Sequence, residues 1–265
     1  MLYIVATPIG NLEDLTMRAL RILKEVDFIL CEDTRVTGNL LKHYDIKTPT
    51  VSYHQHSNLH KVEQVLGWLE EGKNLALVTD AGTPGISDPG GKLVQAVIER
   101  FEDEVKIESV PGASAVTAAL SISGINADKF VFFGFPPHKK GRQTFLKKIM
   151  VSEYPVVVYE SKHRIIKFLE ELQALATAAK ETEEVEIDES TVSNMEIEAE
   201  AEIRGYRKKK AEKKAEVPHL TSVVVCRELS KMYETVYRGD LDRIIERIKQ
   251  NQDDQRGEFV VIVGK

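Results

Sequence analysis

A twelve-residue loop, TDAGTPGISDPG at residues 79–90, is the feature that most constrains the fold of this chain. It directly follows the apolar run at 75–78, and its Gly, Pro, Asp, Thr and Ser content suits neither a helix nor a strand. The pattern predicts a long turn at the carboxyl end of a buried strand, which is where open α/β sheets bind ligands. An ordinary strand-to-helix connection is the alternative, but most of these span only about 2–6 residues.

Two shorter segments repeat this pattern of a strand followed by a turn and a helix. They are IVATPIGNL at 4–12 and IESVPGASA at 107–115, and each places a Pro and a Gly just after an apolar run. Neither fits the dinucleotide-binding or Walker phosphate-binding patterns. Three such loops could converge on one crevice, which indicates a nucleotide-like ligand without specifying which one.

Apolar runs alternate with amphipathic stretches along the chain, which predicts an α/β fold, and the order of the first set of strands predicts a mostly parallel sheet covered on both faces. The first set of predicted strands is 2–6, 28–31, 50–53, 75–79 and 106–110, and a second set is 130–133, 156–160, 222–227 and 258–263. We therefore expect an N-terminal α/β domain over 1–118 and a C-terminal α/β domain over 119–265.

Composition narrows the class of protein. With 42% hydrophobic and 29% charged residues, the 265-residue chain is typical of globular proteins, and no apolar run is long enough for a membrane span. A strand predicted from Leu2 leaves no room for a leader, and Cys31 and Cys226 are expected to be buried thiols in a reducing cytoplasm. No Cys/His spacing suggests a metal site. The net charge of −6 argues against a general nucleic-acid binder but allows a local basic patch.

Five strings occur in one order: TPIGNLEDLT at 7–16, CEDTR at 31–35, SYHQH at 52–56, TDAGTPGISDPG at 79–90 and PGASA at 111–115. Together they resemble the ribosomal RNA small-subunit methyltransferase I family of the tetrapyrrole-methylase superfamily. The resemblance implies two α/β domains with S-adenosylmethionine (SAM) in the cleft between them, and a cytoplasmic homodimer. It also implies methylation of the 2′-hydroxyl of a cytidine in the decoding region of 16S ribosomal RNA within the small subunit.

The resemblance also implies positions for the cofactor. SAM contacts carry over onto the three loops and onto a residue that follows the predicted strand 222–227: Pro8, Ile9, Gly10, Asp80, Ala81, Gly82, Ile86, Ser114, Ala115 and Leu229. The Pro and Gly positions are also explained by turn chemistry, and both interpretations can hold together.

A ribose hydroxyl that accepts a methyl group needs a residue to orient it or to take its proton. The candidates are Glu32, Asp33, His54, His56 and Glu160, of which Asp33, His54 and Glu160 are assigned to catalysis. The RNA-binding candidates are Arg35, His56, Lys139, Lys140, Arg142 and Arg164. Arg35 could instead pair with Asp33, and the basic loops could be solvated helix starts.

Residues 173–217 depart from the family pattern. Residues 181–202 hold ten acidic and no basic residues, whereas 204–214 hold seven basic residues. Separate blocks of acidic and basic residues, with few apolar residues, favour a solvated insertion without a chemical role. The alternative is that the basic half contacts RNA.

Two other functions stay open at this stage. One is a tetrapyrrole methyltransferase of the same fold, and the other is a non-catalytic SAM-binding module of ribosome assembly. CEDTR and SYHQH favour RNA over a macrocycle. SAM binding without methyl transfer to any RNA would indicate the non-catalytic module.

Overall fold

The computed structural model describes residues 1–54, 59–179 and 222–264. The chain divides into two compact units, one formed by Met1–Ile122 with Arg227–Thr235 and the other by Ser123–Cys226 with Val236–Lys265. The sequence-based boundary at 118/119 falls inside the helix Ala115–Ser123, whereas the structural division follows Ile122. The return of 227–235 to the first unit was not anticipated from the sequence.

The first unit alternates strands and helices. Its strands are β1 (Leu2–Val5), β2 (Phe28–Cys31), β3 (Thr50–Ser52), β4 (Leu75–Leu77) and β5 (Ile107–Val110). Its helices are α1 (Met17–Glu25), α2 (Thr34–His43), α3 (Leu59–Glu70), α4 (Gly90–Phe101) and α5 (Ala115–Ser123).

The strands of the first unit form a parallel sheet in the order β3-β2-β4-β1-β5. Alternate residues of its strands feed two apolar clusters. For example, Ile29 belongs to one and Leu30 to the other, and both side chains are fully buried. Burial on both faces explains why the interior strands β2 and β4 are continuous apolar runs, whereas the edge strands β3 and β5 contain polar residues. Because the strands are parallel, their carboxyl ends all lie at one edge, and the three Gly/Pro-rich loops leave from that edge.

The second unit carries β6 (Val131–Gly134), α6 (Arg142–Met150), β7 (Val156–Ser161), helix α7 over 165–179, β8 (Ser222–Arg227), β9 (Thr235–Gly239), α8 (Leu241–Gln250) and β10 (Glu258–Gly264). Its sheet has the order β6-β7-β10-β8-β9. The pair β6–β7 is parallel, but β7–β10 is antiparallel, so this sheet is mixed. One apolar cluster, which includes Phe168, Tyr237 and Phe259, forms its core.

Among the residues that the structure describes, no helix is both long and apolar enough to cross a membrane.

Candidate functional site

The loops after β1 and β4 are joined backbone to backbone. The amide of Thr7 donates to the carbonyl of Gly82 at 2.9 Å, and the amide of Gly82 donates back to the carbonyl of Thr7 at 3.1 Å. The buried hydroxyl of Thr7 donates to the carbonyl of Thr79 at 3.0 Å. The loop after β5 joins them, since the Thr83 hydroxyl donates to the carbonyl of Ala113 at 3.4 Å. The three Gly/Pro-rich loops therefore form one connected edge.

Gly82 has a backbone conformation that favours glycine. Its φ is +86°, and a Cβ there would lie 3.6 Å from the Ile9 side chain and 3.8 Å from the Ala113 carbonyl oxygen. Gly112 lies close as well, since its Cβ would sit 3.0 Å from the Cβ of Ala6. The loops thus meet through backbone and small side chains, which is how a fold brings main-chain polar groups to a ligand.

The predicted cofactor residues on this edge differ in exposure. Pro8, Ile9 and Gly82 are buried and form its base. Other members are exposed, namely Gly10, Asp80, Ala81 and Ile86. Ser114 and Ala115 are half-buried at the start of α5, where the Ser114 carbonyl accepts the first helical bond from Ala118.

Asp88 fixes the second half of the long loop. Its Oδ1 accepts from the amides of Gly85 and Gly90, both at 2.7 Å. Ser87, between them, has a φ of +65°, which is a strained conformation for a residue with a Cβ. The DPG sequence therefore holds the shape of the loop before α4 begins.

Acidic side chains gather at the ends of β2 and β4. The register pairs Leu30 with Leu77, which brings Asp33 beside Asp80, and the Asp33 amide donates to Asp80 Oδ1 at 3.2 Å. On the other side β2 pairs with β3, and the Tyr53 amide donates to the Cys31 carbonyl at 2.8 Å, which brings His54 to the same edge. Glu32 lies within electrostatic range of Asp80, Asp88 and His54.

The two neighbouring carboxyls Glu32 and Asp33 have pKa values that move in opposite directions. Hydrogen bonds from the Arg35 side chain, at 3.1 and 2.7 Å, and from its amide, at 2.8 Å, lower the pKa of Asp33 to about 2. Burial, and then the charges of Asp80 and Asp88, raise the pKa of Glu32. Burial also raises the pKa of Asp80. Glu32 is therefore the better proton acceptor, whereas Asp33 is the N-cap of α2 and a partner of Arg35.

A segment from late in the chain covers the first loop. A Cβ on Gly10 would lie 2.3 Å from Cγ of Lys231, so the Lys231 side chain lies directly over Gly10. The Lys231 ammonium pairs with Glu228 at 2.9 Å, and both Glu228 and Ser230 have positive φ. Leu229, expected from the second domain, is buried in this first-unit segment. Sequence reasoning missed Lys231, which no motif marks.

Glu160 lies in the interior of the second unit. Its side chain is 0% exposed, and its Oε1 accepts from the Ser161 amide at 2.7 Å and pairs with Arg164 Nε at 2.8 Å. Arg142 Nη1 approaches Oε2 at 3.8 Å, and Arg142 Nε pairs with Glu171 at 2.7 Å. The Arg142 side chain is only 6% exposed, so it has little surface to offer a phosphate.

The remaining predicted RNA residues divide by exposure. Lys139 and Lys140 are exposed on the loop between β6 and α6, and the Arg35 side chain is exposed at the start of α2. Arg164 is mostly buried against Glu160. His56 lies outside the described residues, as does most of the charged insertion. Within the described ranges, no group of three or more His, Cys, Asp or Glu side chains could hold a metal ion.

Comparisons with known proteins agree with this architecture. The family model of the Tetrapyrrole (Corrin/Porphyrin) Methylases matches residues 1–245. The chain is 37% identical to Ribosomal RNA small subunit methyltransferase I of Synechocystis sp., over 99% of this chain and 78% of that protein. It is 36% identical to the protein of the same name from Hydrogenobaculum sp., over 100% of this chain and 95% of the relative.

Among solved structures, uroporphyrin-III-C-methyltransferase from Thermus thermophilus shares the fold. The TM-score is 0.59 at 17% identity, over 100% of this chain and 94% of that one. Match length and identity to the methyltransferase I proteins are the stronger finding, because the solved structure shows the fold alone. The chain therefore belongs to the tetrapyrrole methylase family and, within it, to the SAM-dependent methyltransferases of the ribosomal RNA small subunit methyltransferase I group.

Proposed function

We propose that this methyltransferase modifies the 2′-hydroxyl of a cytidine in the decoding region of 16S ribosomal RNA, in the cytoplasm and within the small subunit. The observation that carries the proposal is the position of Glu32, a carboxyl of raised pKa beside the connected loop edge. A ribose hydroxyl is a poor nucleophile until its proton is accepted, and a carboxylate of raised pKa suits that task. The names of the full-length relatives support RNA as the substrate.

The loop edge fits SAM. Gly10 and Ala81 are exposed, and the left-handed Gly82 brings main chain close to Ile9. Asp80 adds an exposed carboxylate that can accept from ribose hydroxyls or an amine. Ile9, Gly10, Asp80, Ala81, Gly82, Ser114 and Ala115 would hold the cofactor, which supplies an activated methyl group when bound.

Glu32 would take the proton from the attacking hydroxyl. Asp33 would act indirectly, because its carboxylate is held by Arg35 and its amide orients Asp80. His54 interacts electrostatically with Glu32. It would hold the ribose or share the proton.

Exposed cations would hold the RNA backbone. Lys139 and Lys140 would contact phosphates, whereas Arg35 is exposed but already pairs with Asp33. Arg142 and Arg164 would act by fixing a loop rather than by touching RNA. We also propose that the protein forms a homodimer.

The test is to incubate the protein with labelled SAM and small subunits that lack the modification. We expect one labelled nucleotide, a cytidine whose 3′-linkage resists alkaline hydrolysis because its 2′-oxygen is methylated. Label on a base would contradict ribose chemistry. Transfer to a tetrapyrrole but not to RNA, or SAM binding with no transfer, would support the two alternative functions instead.

A further inference from the structure

An aromatic side chain is exposed at the carboxyl end of β6. Phe135 is 52% exposed, and its ring packs at 5.4 Å, centroid to centroid, against Tyr159. Tyr159 also contacts Phe132 edge-on at 4.9 Å. Phe133, the next residue along β6, instead packs on Phe145 on the core side. Phe135 thus extends an aromatic face away from the core and into solvent.

The guanidinium groups of buried Arg142 and half-buried Arg164 fix the backbone that carries Phe135. Arg164 Nη1 donates to the Pro136 carbonyl at 2.9 Å, and Arg142 Nη1 donates to the Pro137 carbonyl at 3.2 Å. Arg164 is itself held by Glu160 at 2.8 Å, and Arg142 is held by Glu171 at 2.7 Å. Two prolines and two charge-assisted bonds leave this turn little freedom. The ring is therefore held ready in place, which reduces the entropy lost when something binds to it.

The surroundings of Phe135 are basic. His138, Lys139 and Lys140 follow it on the same loop and are exposed. Lys162 and His163 are exposed on the loop after β7. Because β6 and β7 are parallel neighbours, both loops lie at the same edge of the second sheet. An aromatic face surrounded by cations is the usual arrangement for unpaired nucleotides, whose bases stack while their phosphates are neutralised.

We propose that Phe135 is a stacking platform for an unpaired base of the RNA substrate, with Lys139 and Lys140 on the adjoining phosphates. This rests on the proposed function. The charge argues against a second copy of the chain as the occupant, since a two-fold contact through this face would bring its own cations together.

The test compares Phe135→Ala with Phe135→Trp and with Phe130→Ala. Phe130 is the matched control, because it is an exposed Phe at the opposite end of β6. The probe is the unmethylated small subunit, titrated at several salt concentrations, with SAM affinity and melting temperature measured on each variant. Loss of a stacked base should weaken subunit binding by roughly 5- to 150-fold in Phe135→Ala. Phe135→Trp should retain affinity and Phe130→Ala should match the parent protein.

Salt dependence separates stacking from charge. Phe135→Ala should leave the slope of log affinity against log salt unchanged, whereas Lys139→Ala with Lys140→Ala should flatten it by up to about 1.4, the value for two contacts to a single strand. Unchanged affinity in Phe135→Ala would overturn the proposal, and so would a parallel loss of SAM binding or melting temperature. Dissociation of a dimer in Phe135→Ala would show that the face binds protein. If the parent protein methylates no RNA, the proposed function fails instead, and the two failures are distinct.

Discussion

Glu32 and Asp33 are adjacent carboxyls in different surroundings, with pKa values that move in opposite directions. The CEDTR string marks both residues, but it does not say which one keeps its proton longer. That difference arises from Arg35, which folds back onto Asp33, and from the burial of Glu32 near Asp80 and Asp88. The assignment of Asp33 to catalysis stays a prediction, and we propose Glu32 as the base because its pKa is raised. Local spacing could not reveal this, because Asp80 and Asp88 come from another strand end.

The raised pKa of Glu32 predicts the acidic limb of the rate profile. A base acts only when deprotonated, so single-turnover methyl transfer at saturating SAM should rise with pH through an apparent pKa above the ordinary 4.5 of Glu. Asp80→Asn removes one of the charges that raise the pKa, so the limb should move to lower pH. Glu32→Gln should abolish the limb and lower the rate roughly 100-fold or more. If the acidic limb keeps its position in Asp80→Asn, the charge of Asp80 does not raise the pKa of Glu32 and this prediction is wrong.

The Asp33–Arg35 contact predicts a titration that NMR can follow. The carboxyl carbon of Asp33 should titrate at about 2, and Arg35→Gln should raise that value toward the ordinary 3.8. When folding lowers the pKa of a carboxyl, the resulting stabilisation is present above the pKa of the unfolded chain. It is lost as the pH falls through the pKa of the folded protein. The stabilisation from this contact should therefore be complete above roughly pH 4 and be lost as the pH falls from about 4 to about 2. Because Asp33 is near the surface, added salt should weaken the effect. If the pKa of Asp33 is the same in Arg35→Gln as in the parent protein, the contact between the two side chains is contradicted.

The long loop before α4 depends on one of two consecutive glycines. A Cβ on Gly90 would lie 2.9 Å from both Asp88 Oδ1 and the Gly85 nitrogen, whereas one on Gly91 would meet nothing within 4 Å. Gly90→Ala should lower the free energy of unfolding by about 1–3 kcal/mol and weaken SAM binding. Gly91→Ala should be neutral, or stabilising by up to about 1 kcal/mol. Chemical denaturation and SAM titration of both variants check this, and equal effects would contradict it.

The cover that Lys231 forms over Gly10 can be tested by a double-mutant cycle. Gly10→Ala places a methyl group against Lys231 Cγ and should weaken SAM binding. Lys231→Ala removes that clash, so the double variant should recover part of the loss. Full recovery is not expected, because Gly10 has a φ of +154°. Additive losses in SAM titrations would show that the two residues do not interact.

The elements themselves were largely predictable, and the exceptions have physical causes. Apolar runs identified β2 and β4 most clearly, because burial of an interior strand on both faces leaves a continuous apolar sequence. Helix α2 was predicted to begin at Gly38, but it begins at Thr34, since the Asp33 side chain caps it. Strand β9 was missed because TVYRG at 235–239 is short and half polar, with only Tyr237 fully buried.

At the level of the molecule, the second sheet departs from the alternating pattern. The parallel pairing predicted for the first set of strands is confirmed, but it does not extend to the second sheet, where β10 runs antiparallel to β7. Val260, Val261 and Ile262 are buried on either face, so their pattern is the same for both directions. The direction of a strand in a sheet depends on the connections before and after it, and the hydrophobic pattern does not encode these connections.

The charged insertion, 173–217 by sequence, supports a deletion test. The segment beyond residue 179 lies outside the described residues, while α7 packs Phe168, Leu169 and Leu172 into the core. Excision should therefore start after 180 and end at 217, closed by a short Gly-containing turn. We expect nearly unchanged melting temperature and SAM affinity, because the excised sequence has few apolar residues to bury. A large fall in melting temperature would mean that it packs as structure, and a flatter salt dependence of RNA binding would assign its basic half to RNA.

The return of Arg227–Thr235 to the first unit has a consequence for biosynthesis. A nascent chain that has emerged only as far as Ile122 contains every strand of the first sheet but lacks the Lys231 side chain that lies over Gly10. The loop at Gly10 is thus covered only after most of the polypeptide has left the ribosome. A fragment ending at Ile122 would lack the segment Arg227–Thr235 of the first unit. Truncated translation products would therefore leave Gly10 uncovered.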